Sequence, residues 1–159
     1  MIQRIQSIFL LVAAVSSMLL FFFPLASFYH EIEGNFRLFI YAVQSLDPDP
    51  KYTFGAYYTL PLLFFTIVSV IFSVSAIFLY KSRLRQIRLC TFNILANIIF
   101  LMVVFFFYIN QIKSTTHAEP EYNIYGMALP LITLAMMVLA SRAIRRDEAL
   151  VKSADRLRG

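Results

Sequence analysis

Charged side chains cut this chain into long uncharged intervals. No Lys, Arg, Asp, Glu or His lies between Arg4 and His30, Lys51 and Lys81, Arg88 and Lys113, or Glu121 and Arg142. Each interval is rich in Leu, Ile, Val and Phe. A helix rises about 1.5 Å per residue, so a hydrocarbon core of roughly 30 Å takes about 20 residues, and all four intervals reach that length. Barrel strands alternate apolar with polar residues, whereas Leu62–Val70 and Phe100–Phe107 do not alternate. A helix also satisfies its backbone within one segment. The pattern predicts an all-α fold, an integral membrane four-helix bundle with spans near 7–28, 56–80, 89–110 and 123–141.

Composition agrees. The 159 residues are 60% hydrophobic and 14% charged, against about 45–50% and about 25% in soluble domains. The length suits one domain, divided into a transmembrane part, 1–141, and a basic tail, 142–159. The first apolar run resembles a signal segment in length, but Pro24-Leu25-Ala26 makes a poor cleavage site. It is expected to remain as a helix.

Cytoplasmic flanks collect Lys and Arg. With the N-terminus inside, every Lys and Arg except Arg37, Lys51 and Lys113 falls on the inner side. The acids run the other way, with Glu31, Glu33, Asp47, Asp49, Glu119 and Glu121 outside. This predicts both termini in the cytoplasm. Tyr29, Tyr41, Tyr52, Tyr57, Tyr58, Tyr108, Tyr122 and Tyr125 gather at the outer boundary, where an amphipathic ring is favoured.

The outer loop, 29–55, is expected to be partly ordered and to lie on the membrane or cap the helices. Its apolar runs around Asp47-Pro48-Asp49-Pro50 suggest a hairpin. An interfacial helix over Phe36–Val43 is the competing expectation. The short basic connection Lys81–Arg88 makes helices two and three antiparallel neighbours. In the tail, Ile144, Leu150, Val151, Ala154 and Leu157 share a helical face among Arg142, Arg145, Arg146, Lys152, Arg156 and Arg158. That predicts a separate amphipathic helix, on the membrane surface or docked to a protein. Together with Lys81, Arg83, Arg85 and Arg88, these cations form the candidate surface for anionic inner-leaflet lipid or for a cytoplasmic or membrane protein partner. Nucleic acid is not an expected partner.

Catalytic patterns are absent from the sequence. There is no Gly-rich phosphate loop, no Gly-x-Ser-x-Gly and no His-Glu-x-x-His. No enzyme activity and no cofactor is expected. The intervals hold no ionisable Asp, Glu, Lys or Arg, which argues against a pump or proton-coupled carrier. The weak metal candidates are His30 and His117. His117-x-Glu119-x-Glu121 would align on one face of an extended segment, although the spacing matches no strong metal signature.

One polar stripe stands out. Gln86, Cys90, Asn93 and Asn97 recur along one face of helix three. Facing partners are Thr66, Ser69, Ser73 and Ala76 on helix two, Ala13 and Ser17 on helix one, and Gly126, Thr133 and Ala140 on helix four. Asn side chains in membranes bond across helix interfaces and small residues let backbones approach. The stripe is either packing adhesive or a small polar pocket open to the cytoplasm.

Three stretches carry a family resemblance: Met1-Ile2-Gln3-Arg4-Ile5-Gln6, then Arg85-Gln86-Ile87-Arg88-Leu89-Cys90 with Asn93, and the closing run from Arg142 to Arg158. Together they resemble domain-of-unknown-function family 4293, small four-helix proteins of the bacterial inner membrane. The resemblance spans essentially the whole chain and implies four spans in that membrane. It supplies no activity, ligand or catalytic residue, but draws interest to the cytoplasmic side. The functional expectation is a non-enzymatic scaffold or accessory subunit docking a protein or anionic lipid. The alternative is a small-molecule or lipid-binding transport protein using the polar stripe.

Overall fold

The computed structural model describes residues 3–30, 34–48, 52–55, 57–80 and 82–158. Among them are four helices: α1 Gln3–Leu19, α2 Leu60–Phe78, α3 Arg83–Thr116 and α4 Ile124–Arg158. Four short strands, β1 Ala26–Tyr29, β2 Phe36–Leu38, β3 Val43–Ser45 and β4 Glu119–Tyr122, form one antiparallel sheet in the order β3-β2-β1-β4. The fold is mostly helical but not all-α. By length and composition α2, α3 and Ile124–Val151 of α4 suffice to cross a membrane, while the apolar part of α1, Ile5–Leu19, is shorter.

The expected first span, 7–28, ends early, at Leu19. Phe21 and Phe22 donate to the carbonyls of Met18 and Leu19 in a tightening turn. Pro24 then has no N–H for a helix and pushes its predecessor out of the α region. Leu25 N donates to Leu38 O at 2.7 Å, drawing the chain into the sheet. Ala26 and Phe28 face the core on β1.

The loop 29–55 holds a hairpin of β2 and β3 and not a helix over Phe36–Val43. Its turn lies earlier than expected, with Phe39 N donating to Ala42 O at 2.8 Å between β2 and β3. The alternation is local to β2: Phe36 and Leu38 are buried and Arg37 is exposed, as period two requires. Asp47 serves the return of the chain. Its Oδ2 accepts from Asn35 N at 2.6 Å, while Ser45 Oγ bonds the Asp47 backbone. Gly34, at φ +99°, carries the chain past that carboxylate where an added Cβ would sit 2.7 Å from it.

Pro61 starts α2 in its first turn, where a missing N–H costs nothing. The third helix is longer than the expected 89–110 and widens into a π segment at Val103–Ile109. Phe105, Phe106 and Phe107 face outward there while Val104, Tyr108 and Ile112 face inward. His117, at φ 51°, closes α3 in a left-handed cap. Asn123 caps α4: its Oδ1 accepts from Gly126 N at 3.0 Å.

α1 packs on α2 and α4, and α3 packs on the same two. The inner face of the sheet covers one end of the helices. There Leu25, Phe28, Phe36 and Leu38 join Leu62, Val104, Tyr108 and Ile112 in one apolar cluster. A second cluster, with Leu10, Ala76, Cys90, Met137 and Ile144, fills the other end.

The tail is not a separate helix. α4 runs unbroken through Ser141, since no Gly or Pro follows Pro130 before Gly159. Its buried stripe continues from Thr133, Met137 and Ala140 to Ser141, Ile144 and Asp147. Tertiary packing therefore divides the expected amphipathic face, burying Ile144 and leaving Leu150 and Val151 exposed.

Candidate functional site

Helical spacing of four and three brings the polar stripe of α3 onto one seam, and hydrogen bonds tie it to its neighbours. Asn93 Nδ2 donates to Ser69 O at 3.1 Å and to Ser73 Oγ at 2.9 Å on α2. Asn97 Nδ2 lies 3.1 Å from Ser69 Oγ and 2.8 Å from Asn93 Oδ1. Ser69 Oγ is 3.1 Å from Ser17 Oγ on α1, which is 3.3 Å from Thr133 Oγ1 on α4. One network thus touches all four helices. Nearer the end of α2, Gln86 Nε2 donates to Ala76 O at 2.9 Å, a carbonyl in the last turn of that helix.

Proton directions close on the backbone. Ser73 Oγ donates to Ser69 O and Ser17 Oγ to Ala13 O, while Thr133 Oγ1 shares its one proton between Ser17 Oγ and Leu129 O. Ser69 accepts from Asn97 and has its own proton for Ser17. Asn93 and Asn97 are 0% and 5% exposed. The network holds its polar groups in mutual contact, and the two cavities described below are lined by other residues.

The basic residues separate into groups. Arg85 and Arg88 are exposed at the start of α3, and Arg85 Nε donates to Ser82 Oγ at 3.0 Å. Arg83 is half-buried, with Nη1 lacking a partner among the described residues. Arg142, Arg145 and Arg146 are exposed on α4. Lys81 lies outside the described residues, as do the side chains of Lys152, Arg156 and Arg158. The cluster of Leu10, Ala76, Cys90 and Ile144 brings the α2–α3 turn, the first turns of α1 and residues 140–147 of α4 to one end.

At that end Gln6 Nε2 donates to Asp147 Oδ2, and both side chains are buried. Neither Gln6 nor Asp147 stands out as a candidate in the sequence. The available signal was the spacing of Gln6, Leu10, Ala13 and Ser17, one continuous face of α1. Beside this bond, Ile5, Phe9, Leu139, Arg142, Ala143, Arg146, Asp147 and Leu150 line a groove of about 480 Å³ between α1 and α4.

The opposite end holds a polar cup of about 430 Å³, lined by Pro24, Ser27, Tyr29, Arg37 and the segment Glu121–Tyr125. Strand register sets Gln44, Arg37, Ser27 and Glu121 in one cross-strand row. Tyr58 lies nearby in the apolar cluster, before α2 begins. Burial pushes its phenol above the ordinary value, and its hydroxyl has no partner among the described residues.

Among the described residues, His30 and His117 belong to no ligand set. Among the described residues no group of three His, Cys, Asp or Glu side chains could hold a metal ion. The extended run begins at Glu119, so the left-handed His117 stands outside the alternation, and Glu119 is paired with Lys113 at 2.9 Å. Glu31 and Glu33, the expected neighbours of His30, lie outside the described residues.

Three helices of spanning length and apolarity, tied by a buried polar network and closed at one end by a small sheet, define a helical protein of membrane type. The chain belongs to the DUF4293 family, described as a domain of unknown function, whose model matches residues 2–157. No curated protein matches the chain.

Proposed function

We propose that this chain is a four-span protein of the bacterial inner membrane with both termini in the cytoplasm. In this reading α1, extended by the apolar turn that follows it, supplies the fourth crossing. Its role is that of a non-enzymatic scaffold or accessory subunit, whose basic end docks an anionic lipid surface or a protein.

The observation that carries this reading is the meeting of the α2–α3 turn and residues 140–147 of α4 around Leu10, Ala76, Cys90 and Ile144. The exposed cations of both segments thereby belong to one end, and the acids of β4 and Asp47 belong to the other. Positive flanks mark the cytoplasmic side, and clustered Arg attracts anionic headgroups. The polar groups of the core, being bonded to one another, support a structural part for the helices.

Two measurements test the proposal. In a Cys90→Ala background, Ala149→Cys should react with an impermeant thiol reagent only from the cytoplasm, and Gln44→Cys only from outside. Reversed labelling would overturn the orientation. Full-length protein should also lose a co-purifying protein or its anionic lipid when Arg85, Arg88, Arg142, Arg145 and Arg146 are all replaced by Gln. Identical recovery from both forms would overturn the docking role.

A further inference from the structure

We propose that the groove between α1 and α4 seats one anionic phospholipid, with its phosphate on Arg142 and Arg146 and an acyl chain along Phe9 and Leu139. The inference rests on the basic end being a docking face and assigns that face a specific occupant.

Charge and shape both point to this ligand. Arg142 and Arg146 stand one helical turn apart and line the same groove. Neither makes a hydrogen bond or ion pair among the described residues. The one acid in the lining, Asp147, is buried and engaged by Gln6, so the exposed charge at the rim is positive. Guanidinium groups match phosphate oxygens through paired N–H donors. The rest of the lining is apolar apart from these groups. It runs from Leu139, inside the uncharged interval of α4, to Leu150, where the span-length segment Ile124–Val151 ends. A headgroup at Arg142 and Arg146 therefore sits at the polar boundary, and its chain descends toward the hydrocarbon between two helices.

Arg145 provides an internal control, because it is exposed on the same helix but does not line the groove. The full-length protein is reconstituted in nanodiscs of equimolar phosphatidylglycerol and phosphatidylethanolamine, released into mild detergent, and its retained lipids are counted by native mass spectrometry. The wild type should retain one phosphatidylglycerol in preference to phosphatidylethanolamine. Arg142→Gln with Arg146→Gln should lower that retention by at least about tenfold, and Arg88→Gln with Arg145→Gln, on the docking face but outside the groove, should lower it by less than about twofold. Ala143→Phe, which fills the groove without altering charge, should also expel the lipid while the protein stays monodisperse. Equal losses from both arginine pairs would overturn the groove and leave a diffuse docking face standing. Absence of phosphatidylglycerol preference in the wild type would overturn the lipid site, while recovery of a co-purifying protein in the experiment above judges the docking face separately.

Discussion

Asn97 Nδ2 lies 3.1 Å from the hydroxyl of Ser69, which is itself 3.1 Å from Ser17, so one α3 amide is linked through α2 to α1. Interhelical polar contacts in membranes contribute about 0.6 and at most roughly 2 kcal/mol each. Asn93 makes two contacts to α2 and also receives Asn97. Asn93→Ala should therefore cost more than Asn97→Ala, about 2 against about 1 kcal/mol, in reversible unfolding from a bilayer or mixed micelle. Ser69→Ala should be non-additive with Asn97→Ala, because the two changes remove the same bond. Additivity of that pair would show that the network is not coupled.

Gly126 lies under the first residues that follow α1. A Cβ there would come 1.9 Å from Pro24 O and 2.7 Å from Pro24 C, both backbone atoms. A flexible side chain could yield, but this backbone is held by Leu25 N donating to Leu38 O and by Asn123 N donating to Leu25 O. Gly126→Ala should destabilise by at least about 1–3 kcal/mol, the usual cost of overpacking, and should loosen the sheet from the start of α4. Hydrogen exchange at Leu25 and Asn123 would report that loosening. Unchanged protection would contradict the close approach.

Tyr58 and Tyr108 form an edge-to-face pair, with ring centroids 5.1 Å apart and planes at 80°, yet their hydroxyls are unlike. Tyr108 Oη donates to Tyr58 O at 2.6 Å, and the Tyr58 hydroxyl has no partner among the described residues. Tyr108→Phe should cost about 1 kcal/mol, and Tyr58→Phe should be neutral or stabilising. Burial raises the Tyr58 pKa above 10.0. The folded state then keeps this proton longer than the unfolded state, so its contribution is intact below pH 10 and is lost as pH rises through the folded pKa. Tyr58→Phe should therefore lessen the alkaline loss of stability. An identical alkaline profile in the variant would remove Tyr58 as its source.

The uncharged intervals made most helical segments legible, because long apolar runs have few other uses. The α3 stripe was legible for the same reason, since Gln86, Asn93 and Asn97 interrupt such a run at helical spacing. The sheet was harder to see. Ala26–Tyr29 lies inside an apolar interval that reads equally well as helix, and its strand state depends on pairing with Phe36–Leu38 and with distant Glu119–Tyr122. The turn was misplaced because Asp47-Pro48 is a strong local turn signal, whereas the residues that turn, Phe39–Ala42, are apolar. The bond between Gln6 and Asp147 joins the two ends of the chain, a separation that no local pattern reports.

Continuity of α4 past Ser141 gives the tail a structural task that a surface-lying helix would not have. Ile144 is 0% exposed and packs in the cluster that holds Leu10, Ala76 and Cys90, and Asp147 carries the bond from Gln6. Ile144→Ala should cost about 2–4 kcal/mol, the range for a buried aliphatic truncated to Ala. Leu150→Ala, at an exposed position of the same helix, should cost less than about 0.5 kcal/mol. Truncation after Ser141 should lower the recovery of monodisperse protein, and truncation after Val151 should not. Size-exclusion profiles and thermal unfolding of the four forms would check this. Were Ile144→Ala and the shorter truncation both silent, residues 142–151 would be an appendage of the fold, and a loss of partner binding on truncation would then report on docking alone.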